Sequence, residues 1–212
     1  ISRNIFGIHP MNDFQYSAGA TPLEPDEMDG LKIGHITTRE ELNRFEQDNI
    51  NEALQWLERR RKTDVLTEKF IKTLHQKMFG KVWCWAGSFR RSDKNIGVAW
   101  PQVPVCLHML LQDVRYWIDQ KTYSVDEIAV RFHHKLVWIH LFANGNGRHA
   151  RLMTDILLKN VFKHEPFIWN IKNIDAADHV RNFYLNALRQ ADNHDYSKLL
   201  EFVRSGWKHP LY

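Results

Sequence analysis

The chain has 212 residues, of which 43% are hydrophobic and 25% charged, a composition typical of a folded globular protein rather than a disordered one. Its formal net charge of +4 is too small to argue for nucleic-acid binding by itself. The two cysteines form no disulfide framework, no apolar run reaches the roughly 20 residues of a membrane span, and no signal peptide is visible, so we expect a cytoplasmic protein.

Residues 1–36 are rich in turn-forming residues and lack sustained periodicity, so we predict an extended, docked N-terminal arm before a domain spanning residues 37–212. Within that domain the apolar spacing is helical. Thr38 with Glu41 and Ser124 with Glu127 have the capping-box spacing, which marks helix starts. The predicted helices cover about 38–62, 67–80, 104–121, 124–140, 146–162, 175–191 and 196–205.

Residues 88–100 interrupt the helical pattern. Apolar residues on both sides flank a polar Ser-Asp-Lys-Asn centre, which predicts a short β-hairpin. The predicted fold is therefore an all-α bundle with one hairpin.

One short segment combines two histidines, two glycines and two arginines, and it reads His140-Leu-Phe-Ala-Asn-Gly-Asn-Gly-Arg-His-Ala-Arg151. Gly145 and Gly147 allow a backbone to wrap closely around phosphates, and Asn146 opens a helix whose first N–H groups can bind an anion. Arg148 and Arg151 are three residues apart, so both guanidinium groups can reach one side of that helix. A candidate base, a phosphate loop and two cations thus lie within one short segment.

This stretch resembles the signature of the Fic (filamentation induced by cAMP) family, His-x-Phe-x-Asp/Glu-Gly-Asn-Gly-Arg-x-x-Arg, at every fixed position except Asn144. Upstream, Trp85-Ala-Gly-Ser-Phe-Arg90 resembles the family's Trp-Ala-Gly-x-x-Arg element. Most of the chain is similar to the Fic subgroup labelled "mobile mystery protein B", with matching stretches at 21–29, 35–42 and 93–98.

The resemblance implies a Fic-type helical bundle with a hairpin flap over the active site, and a protein adenylyltransferase that moves AMP from ATP to a Ser, Thr or Tyr hydroxyl. A protein target would bind along the flap by strand addition. His140 would be the general base, because an ordinary imidazole titrates near neutrality. ATP would be held by the residues of the glycine loop and by two positions on a late helix, which are Gly145, Asn146, Gly147, Arg148, Arg151, Tyr184 and Asn186.

Asn144 stands where the family has a carboxylate that binds Mg²⁺. A carboxamide offers one neutral oxygen in its place. The sequence therefore leaves two interpretations open: a metal held mainly by ATP phosphates and water, or different metal handling in this subgroup.

Two other functions remain open. A Doc-like protein kinase keeps the fold, although that subfamily has Lys where Gly147 stands, which favours AMP transfer here. A non-catalytic nucleotide-binding or partner-binding protein is suggested only by Asn144. The adjacent His133 and His134 are not expected to form a metal site, because neighbours on a helix diverge by about 100° and one should face solvent.

Regulation is also open. Many Fic proteins carry an inhibitory helix whose glutamate pairs with the second arginine of the signature. Glu46 has a similar spacing to Asn49 and Ile50 and could pair with Arg151, or it could be a solvated glutamate on an amphipathic helix. A separate antitoxin chain is the alternative.

Overall fold

The structure, a computed structural model, describes residues 25–36, 38–60, 63–169 and 178–204. Across these ranges it consists of helices and connecting turns, with no strand and a single isolated bridge between Leu31 and Trp83, as the all-α prediction requires. In chain order the helices are α1 (Pro25–Met28), α2 (Arg39–Glu58), α3 (Glu68–Phe79), α4 (Val103–Asp119), α5 (Val125–Ile139), α6 (Asn146–Ile156), α7 (Asp178–Asp192) and α8 (Ser197–Arg204).

The predicted helix starts are confirmed by their caps. Thr38 and Glu41 form a complete capping box at α2, and the hydroxyl of Thr67 accepts a hydrogen bond from the Phe70 N–H at α3. The hydroxyl of Ser124 caps α5. Helix α2 ends at Glu58, a few residues short of its predicted end, and α6 continues as a π-helical turn over Leu157–Phe162.

Helix α5 is the centre of the fold, because it is covered on two sides. One side packs against a core that includes Ile71, Leu107 and Met153 from α3, α4 and α6. The other side places Ala129 and Val130 against a second core formed largely by α7 and α8. The C-terminus of α5 therefore emerges between two packed layers, where His140 follows it.

Only residues 25–36 of the predicted arm are described. Pro25–Met28 forms one helical turn rather than extended chain, and the Glu27 carbonyl accepts a hydrogen bond from Trp85 Nε1 at 2.9 Å. The backbone of Gly30 also accepts from the Cys84 N–H at 2.9 Å. These contacts attach the segment to the region around Trp85. The predicted arm over residues 1–24 and the start of the helix predicted over 175–191 lie outside the described residues.

The predicted hairpin over residues 88–100 is wrong, because this segment forms bends without strand pairing. Its backbone groups are bound in other ways. The buried guanidinium of Arg90 donates to the Val98 carbonyl, the Arg90 N–H donates to Leu141 O at 3.0 Å, and Asp93 accepts from the Trp100 N–H at 2.7 Å. The segment is thus held by an arginine side chain and by the signature loop instead of a ladder.

Candidate functional site

A cavity of about 740 Å³ lies beside the C-terminus of α5. It is bounded by the outer face of α2, by Ile96 and Gly97 of the bent segment, by residues 144–148 and by one face of α7. Most of the predicted site residues line it: His140, Asn144, Gly145, Asn146, Gly147, Arg148, Arg151 and Tyr184. Its volume lies within the range of about 300–1,000 Å³ that small-molecule sites occupy.

His140 is the residue that ends α5, and its backbone is left-handed with φ of +57°. This conformation is uncommon for a residue with a side chain and needs external support. Arg90 supplies it, since its Nε donates to the His140 carbonyl at 2.5 Å and its Nη2 donates to the Ile139 carbonyl at 3.3 Å. The two carbonyls at the end of a helix thereby obtain donors that the helix itself cannot provide.

The imidazole of His140 is 5% exposed. Burial, aided by the nearby positive charges of Arg90 and Lys94, lowers the pKa of His140 to about 4. The bent segment crosses directly above it, because a Cβ added at Gly97 would lie 2.7 Å from the Cβ of His140. The ring is therefore neutral at pH 7 and able to accept a proton. The close approach of the backbone at residue 97 requires glycine, because any side chain there would collide with His140.

The glycine loop has a defined shape. Gly145 has φ of +77° and precedes α6, and a Cβ there would lie 2.7 Å from the ring of Phe79. The side chain of Asn146 closes the loop by accepting from the Phe142 N–H and donating to the Phe142 carbonyl at 2.9 and 2.7 Å. Phe142 is fully buried, as the sequence predicts for an anchor. Both polar ends of the Asn146 side chain are therefore bound within the loop, and its backbone N–H belongs to the first turn of α6, the part of a helix that binds anions.

Arg148 is paired with an acidic side chain. Its Nη1 lies 2.7 Å from Oε2 of Glu46, and its guanidinium also lies 4.8 Å from the centre of the Phe79 ring. Glu46 is 2% exposed, and its other oxygen accepts from Trp83 Nε1 at 2.7 Å. The interpretation of Glu46 as a solvated residue is therefore wrong.

The predicted partner of Glu46 is wrong as well, because the carboxylate binds Arg148 and not Arg151. The indole of Trp83 holds the carboxylate against the first turn of α6, where Arg148 lies.

Arg151 is 7% exposed, and its positive charge acts on the Tyr184 hydroxyl, whose pKa burial raises and Arg151 lowers. The same hydroxyl lies 2.8 Å from Nε2 of His133. The structure thus brings together two predicted site residues, Arg151 and Tyr184, across the interface of α6 and α7. Asn186 lies off the cavity, and its Oδ1 accepts from Arg189 at 3.2 Å. The reason is geometric, because residues two apart on a helix diverge by about 200°.

Asn144 lines the cavity, and its Oδ1 accepts from the Gly145 N–H at 2.6 Å. Within the ranges that the structure describes, no three His, Cys, Asp or Glu side chains are grouped so that they could hold a metal ion. Mg²⁺ in nucleotide enzymes is bound largely by phosphates and water with one or two protein ligands. Asn144 Oδ1 is a neutral oxygen at the cavity, of the kind that Mg²⁺ accepts as a ligand.

Sequence reasoning missed the wall formed by α7. Besides Tyr184 it contributes two leucines, two arginines and an aspartate, namely Arg181, Leu185, Leu188, Arg189 and Asp192. These positions recur at three- and four-residue spacing, which is the signal that places them on one helix face.

The polar end of this wall is fixed by a histidine. His134 Nε2 lies 2.9 Å from Asp192 Oδ1. The expectation that His133 or His134 faces solvent is wrong, since both are buried, His133 against Tyr184 and His134 against Asp192.

Helix α2 contributes a second polar wall, again unforeseen from sequence. Its cavity-lining residues are Arg39, Asn43, Arg44 and Gln47. Among the described residues, six arginines, counting those of α6 and α7, and one acidic residue line the cavity. This charge distribution suits a polyanionic ligand.

Comparisons with known proteins agree with this geometry. Residues 65–158 match the model of the Fic/DOC family. The chain is 30% identical over 146 residues to the protein adenylyltransferase Fic of Aedes aegypti and 31% identical over 142 residues to that of Drosophila yakuba. The alignments cover 67% and 65% of this chain but only 28% and 27% of those relatives, so the chain spans less than a third of their length.

Solved structures share the fold. The N-terminal FIC domain of Bep8 from Bartonella sp. 1-1C superposes with a TM-score of 0.65 at 16% identity, covering 82% of this chain and 88% of that one. The BepC protein of Bartonella tribocorum, solved with bound AMPPNP, gives 0.64 at 16% identity, with coverage of 86% and 97%. Fic-1 of C. elegans gives 0.60 at 22% identity, covering 84% of this chain and 52% of that one.

Proposed function

Because residues 65–158 form a Fic/DOC family domain, we propose that the chain is a protein adenylyltransferase that moves AMP from ATP to a Ser, Thr or Tyr hydroxyl of a protein. The observation that carries the proposal is the convergence of His140, the loop at Gly145 and Arg151 on one cavity with a strong excess of arginine. The name of the relatives in Aedes and Drosophila supports the same activity.

The reaction needs a base, a polyphosphate site and an in-line arrangement. The acceptor oxygen attacks the α-phosphorus of ATP, the bond from that phosphorus to the bridging oxygen breaks, and pyrophosphate leaves. The hydroxyl proton passes to the neutral imidazole of His140. Arg151 and the first N–H groups of α6 hold the phosphates, and Arg148 joins them when it is free of Glu46.

The nucleobase fits the part of the cavity next to α7. Val137, Leu185 and Leu188 provide an apolar wall, and the Asp192 carboxylate lies at its polar end. A carboxylate only accepts hydrogen bonds, and the exocyclic amino group of adenine donates them. Mg²⁺, if used, would be held by the phosphates with Asn144 Oδ1 as a neutral protein ligand, and it would neutralise phosphate charge.

The acceptor segment lies along residues 88–100 in this proposal, because Ile96 and Gly97 form the wall nearest His140. Membership of the "mobile mystery protein B" subgroup, a cytoplasmic site of action and an antitoxin partner are further parts of the proposal that rest on the sequence resemblance. No helix within the described residues is long and apolar enough to cross a membrane.

The decisive experiment is incubation of the purified chain with ATP labelled at either the α- or the γ-phosphate. We expect label on protein only from α-labelled ATP, and none with His140→Ala. Label from the γ-phosphate alone would establish a Doc-like kinase. Binding of ATP without transfer from either position, to any acceptor including the chain itself, would establish the non-catalytic alternative.

A further inference from the structure

His75 lies outside the signature, yet its ring contacts both motifs identified in the sequence, the Trp85–Arg90 element and the glycine loop. It is fully buried on α3. The Gly87 N–H donates to its Nδ1 at 2.9 Å, and its Nε2 lies 3.0 Å from the carbonyl oxygen of Asn144. Gly87 belongs to the Trp85–Arg90 element and Asn144 to the glycine loop.

These two contacts determine the protonation of the ring. A backbone N–H can only donate, so Nδ1 carries no proton. The proton of the neutral imidazole is then on Nε2, which donates to the Asn144 carbonyl. A charged ring would lose the bond from Gly87, and burial together with the nearby charge of Arg148 holds the pKa of His75 well below its ordinary value.

The ring is also held mechanically. It stacks on Phe142 with ring centres 3.7 Å apart and planes inclined by 21°, and Phe79 lies 4.8 Å away on its own helix. Gly87 approaches closely with φ of +80°, and a Cβ there would lie 2.9 Å from the Lys72 carbonyl. The ring can neither rotate nor exchange its two partners without displacing these neighbours.

The bond from His75 sets the direction of the peptide between Asn144 and Gly145. In a planar trans peptide the carbonyl and the N–H point in opposite directions. Since the carbonyl points to His75 in the core, the Gly145 N–H points to the cavity side, where it meets Asn144 Oδ1. Gly145 and Asn144 both line the cavity.

We propose that His75 is a positioning residue, whose neutral Nε2–H form fixes the peptide between Asn144 and Gly145 and, through it, the backbone of the glycine loop that would hold a bound polyphosphate. The inference rests on the proposed function in one respect only, which is the identity of that polyphosphate as the chain of ATP. The orientation of the peptide and the proton on Nε2 follow from the contacts alone.

The first test is spectroscopic and needs no nucleotide. In the ¹⁵N-labelled chain, ring ¹⁵N shifts identify the protonated nitrogen of each histidine, and His75→Gln assigns the His75 signal by its loss. We expect a neutral ring protonated at Nε2 throughout pH 5.5–8. A proton on Nδ1, or titration near the ordinary histidine pKa of about 6.5, would overturn the proposal whatever the chain binds.

The second test compares ATP with adenosine by calorimetry. His75→Phe keeps a buried ring but removes the donor, so we expect ATP affinity to fall about tenfold or more and adenosine affinity to stay unchanged. His75→Gln retains a side-chain donor and should recover most of the loss. An equal loss for both ligands would mean a general structural role and would overturn the proposal.

His149 offers a matched control. It is also fully buried, and its Nε2 lies 3.1 Å from the Ile71 carbonyl on α3. Its ring packs edge-on against that of His75 with centres 5.6 Å apart, so a phenylalanine there keeps the packing around His75 and leaves the bond from His75 to Asn144 intact. His149→Phe should lower stability without changing the ratio of ATP to adenosine affinity, and the same selective loss of ATP in this variant would contradict a specific role for His75. If the unmodified chain binds neither ligand, the proposed function fails, while the ¹⁵N spectrum still decides for or against His75.

Discussion

The Glu46 carboxylate lies 2.7 Å from the Arg148 guanidinium, and Trp83 binds its second oxygen at the same distance. The pair ties α2 to the first turn of α6, where an incoming polyphosphate would bind. An arginine engaged in this way presents fewer donors to phosphate, so the pair provides a physical basis for intramolecular inhibition.

We predict that Glu46→Gly raises auto-modification on the order of tenfold or more, because a charge-assisted hydrogen bond contributes about 1.5–3 kcal/mol. The measurement is incorporation of α-labelled phosphate into the chain. Glu41→Gly and Glu201→Gly are the controls, since Glu41 caps α2 and Glu201 is exposed on α8. Unchanged activity of Glu46→Gly would exclude inhibition by α2 and favour a separate antitoxin chain.

His140→Ala should reduce transfer by about 10²–10⁴-fold, the usual contribution of a general base. The circular dichroism spectrum and the affinity for ATP should stay close to those of the parent, because Arg90 binds only the backbone of residue 140. If the variant modified its acceptor at the parent rate, His140 would not be the base.

Asn144→Asp should lower the Mg²⁺ concentration that gives half-maximal activity, because it adds a full charge at a ligand position for a hard cation. Asn144→Ala should raise it. A Mg²⁺ titration that is the same for all three proteins would place residue 144 outside the metal shell.

Variants of Asp192 and Asn186 test which of these two residues contacts the nucleobase. Asp192→Ala should reduce the preference for ATP over inosine triphosphate about tenfold, because inosine replaces the amino group that the carboxylate accepts from with an oxygen. Asn186→Ala should leave the preference unchanged, as Asn186 lies off the cavity. The converse pattern in competition binding would restore Asn186 as the base contact.

Stability should fall as the pH is lowered from about 6.5 toward 4. Burial lowers the pKa of His133 to about 3 and those of His140 and His149 to about 4. Between those values and the ordinary 6.5, the unfolded chain binds protons that the folded chain does not, so each histidine contributes a slope of about 1.4 kcal/mol per pH unit. Above pH 6.5 these rings are neutral in both the folded and the unfolded chain, so their titration no longer lowers the free energy of unfolding.

Urea unfolding at pH 7.5, 6 and 5 measures this dependence. Asp155 opposes it, because burial raises the pKa of its carboxyl to about 6 and the folded chain takes up that proton first. His149→Gln should remove one histidine's share of the slope. A midpoint that does not change between pH 7.5 and 5 would show that these rings are not buried in solution.

The parts of the fold that were predicted correctly depend on local chemistry. The hydroxyls of Thr38 and Thr67 cap helices from within three residues, and Phe142 is buried because its loop needs an apolar anchor. The hairpin was predicted by the same local reasoning and is wrong, because Arg90 occupies the backbone carbonyl of Val98. The backbone N–H of Arg90 is also bound to the carbonyl of Leu141, far along the chain, and the pattern of residues 88–100 does not report so distant a partner.

The same distinction holds for the candidate site, where contacts within one segment are predictable from the sequence and contacts between distant segments are not. The signature puts His140, Gly145 and Arg151 in one segment, so the sequence predicts that they lie together. The partner of Glu46 depends on where Trp83 packs, and the position of Asp192 depends on α7 lying against α5. Such contacts join residues far apart in the chain, and no spacing rule reports them.

The cavity has two walls that belong to different layers of the protein. The family match ends at residue 158, whereas α7 begins at Asp178 and packs on α5 through its own core. In the proposed function, transfer chemistry and nucleobase choice therefore lie in different parts of the chain, which meet across α5. Exchange of α7 and α8 would then retune which nucleotide is accepted, provided that the new α7 keeps a tyrosine beside Arg151.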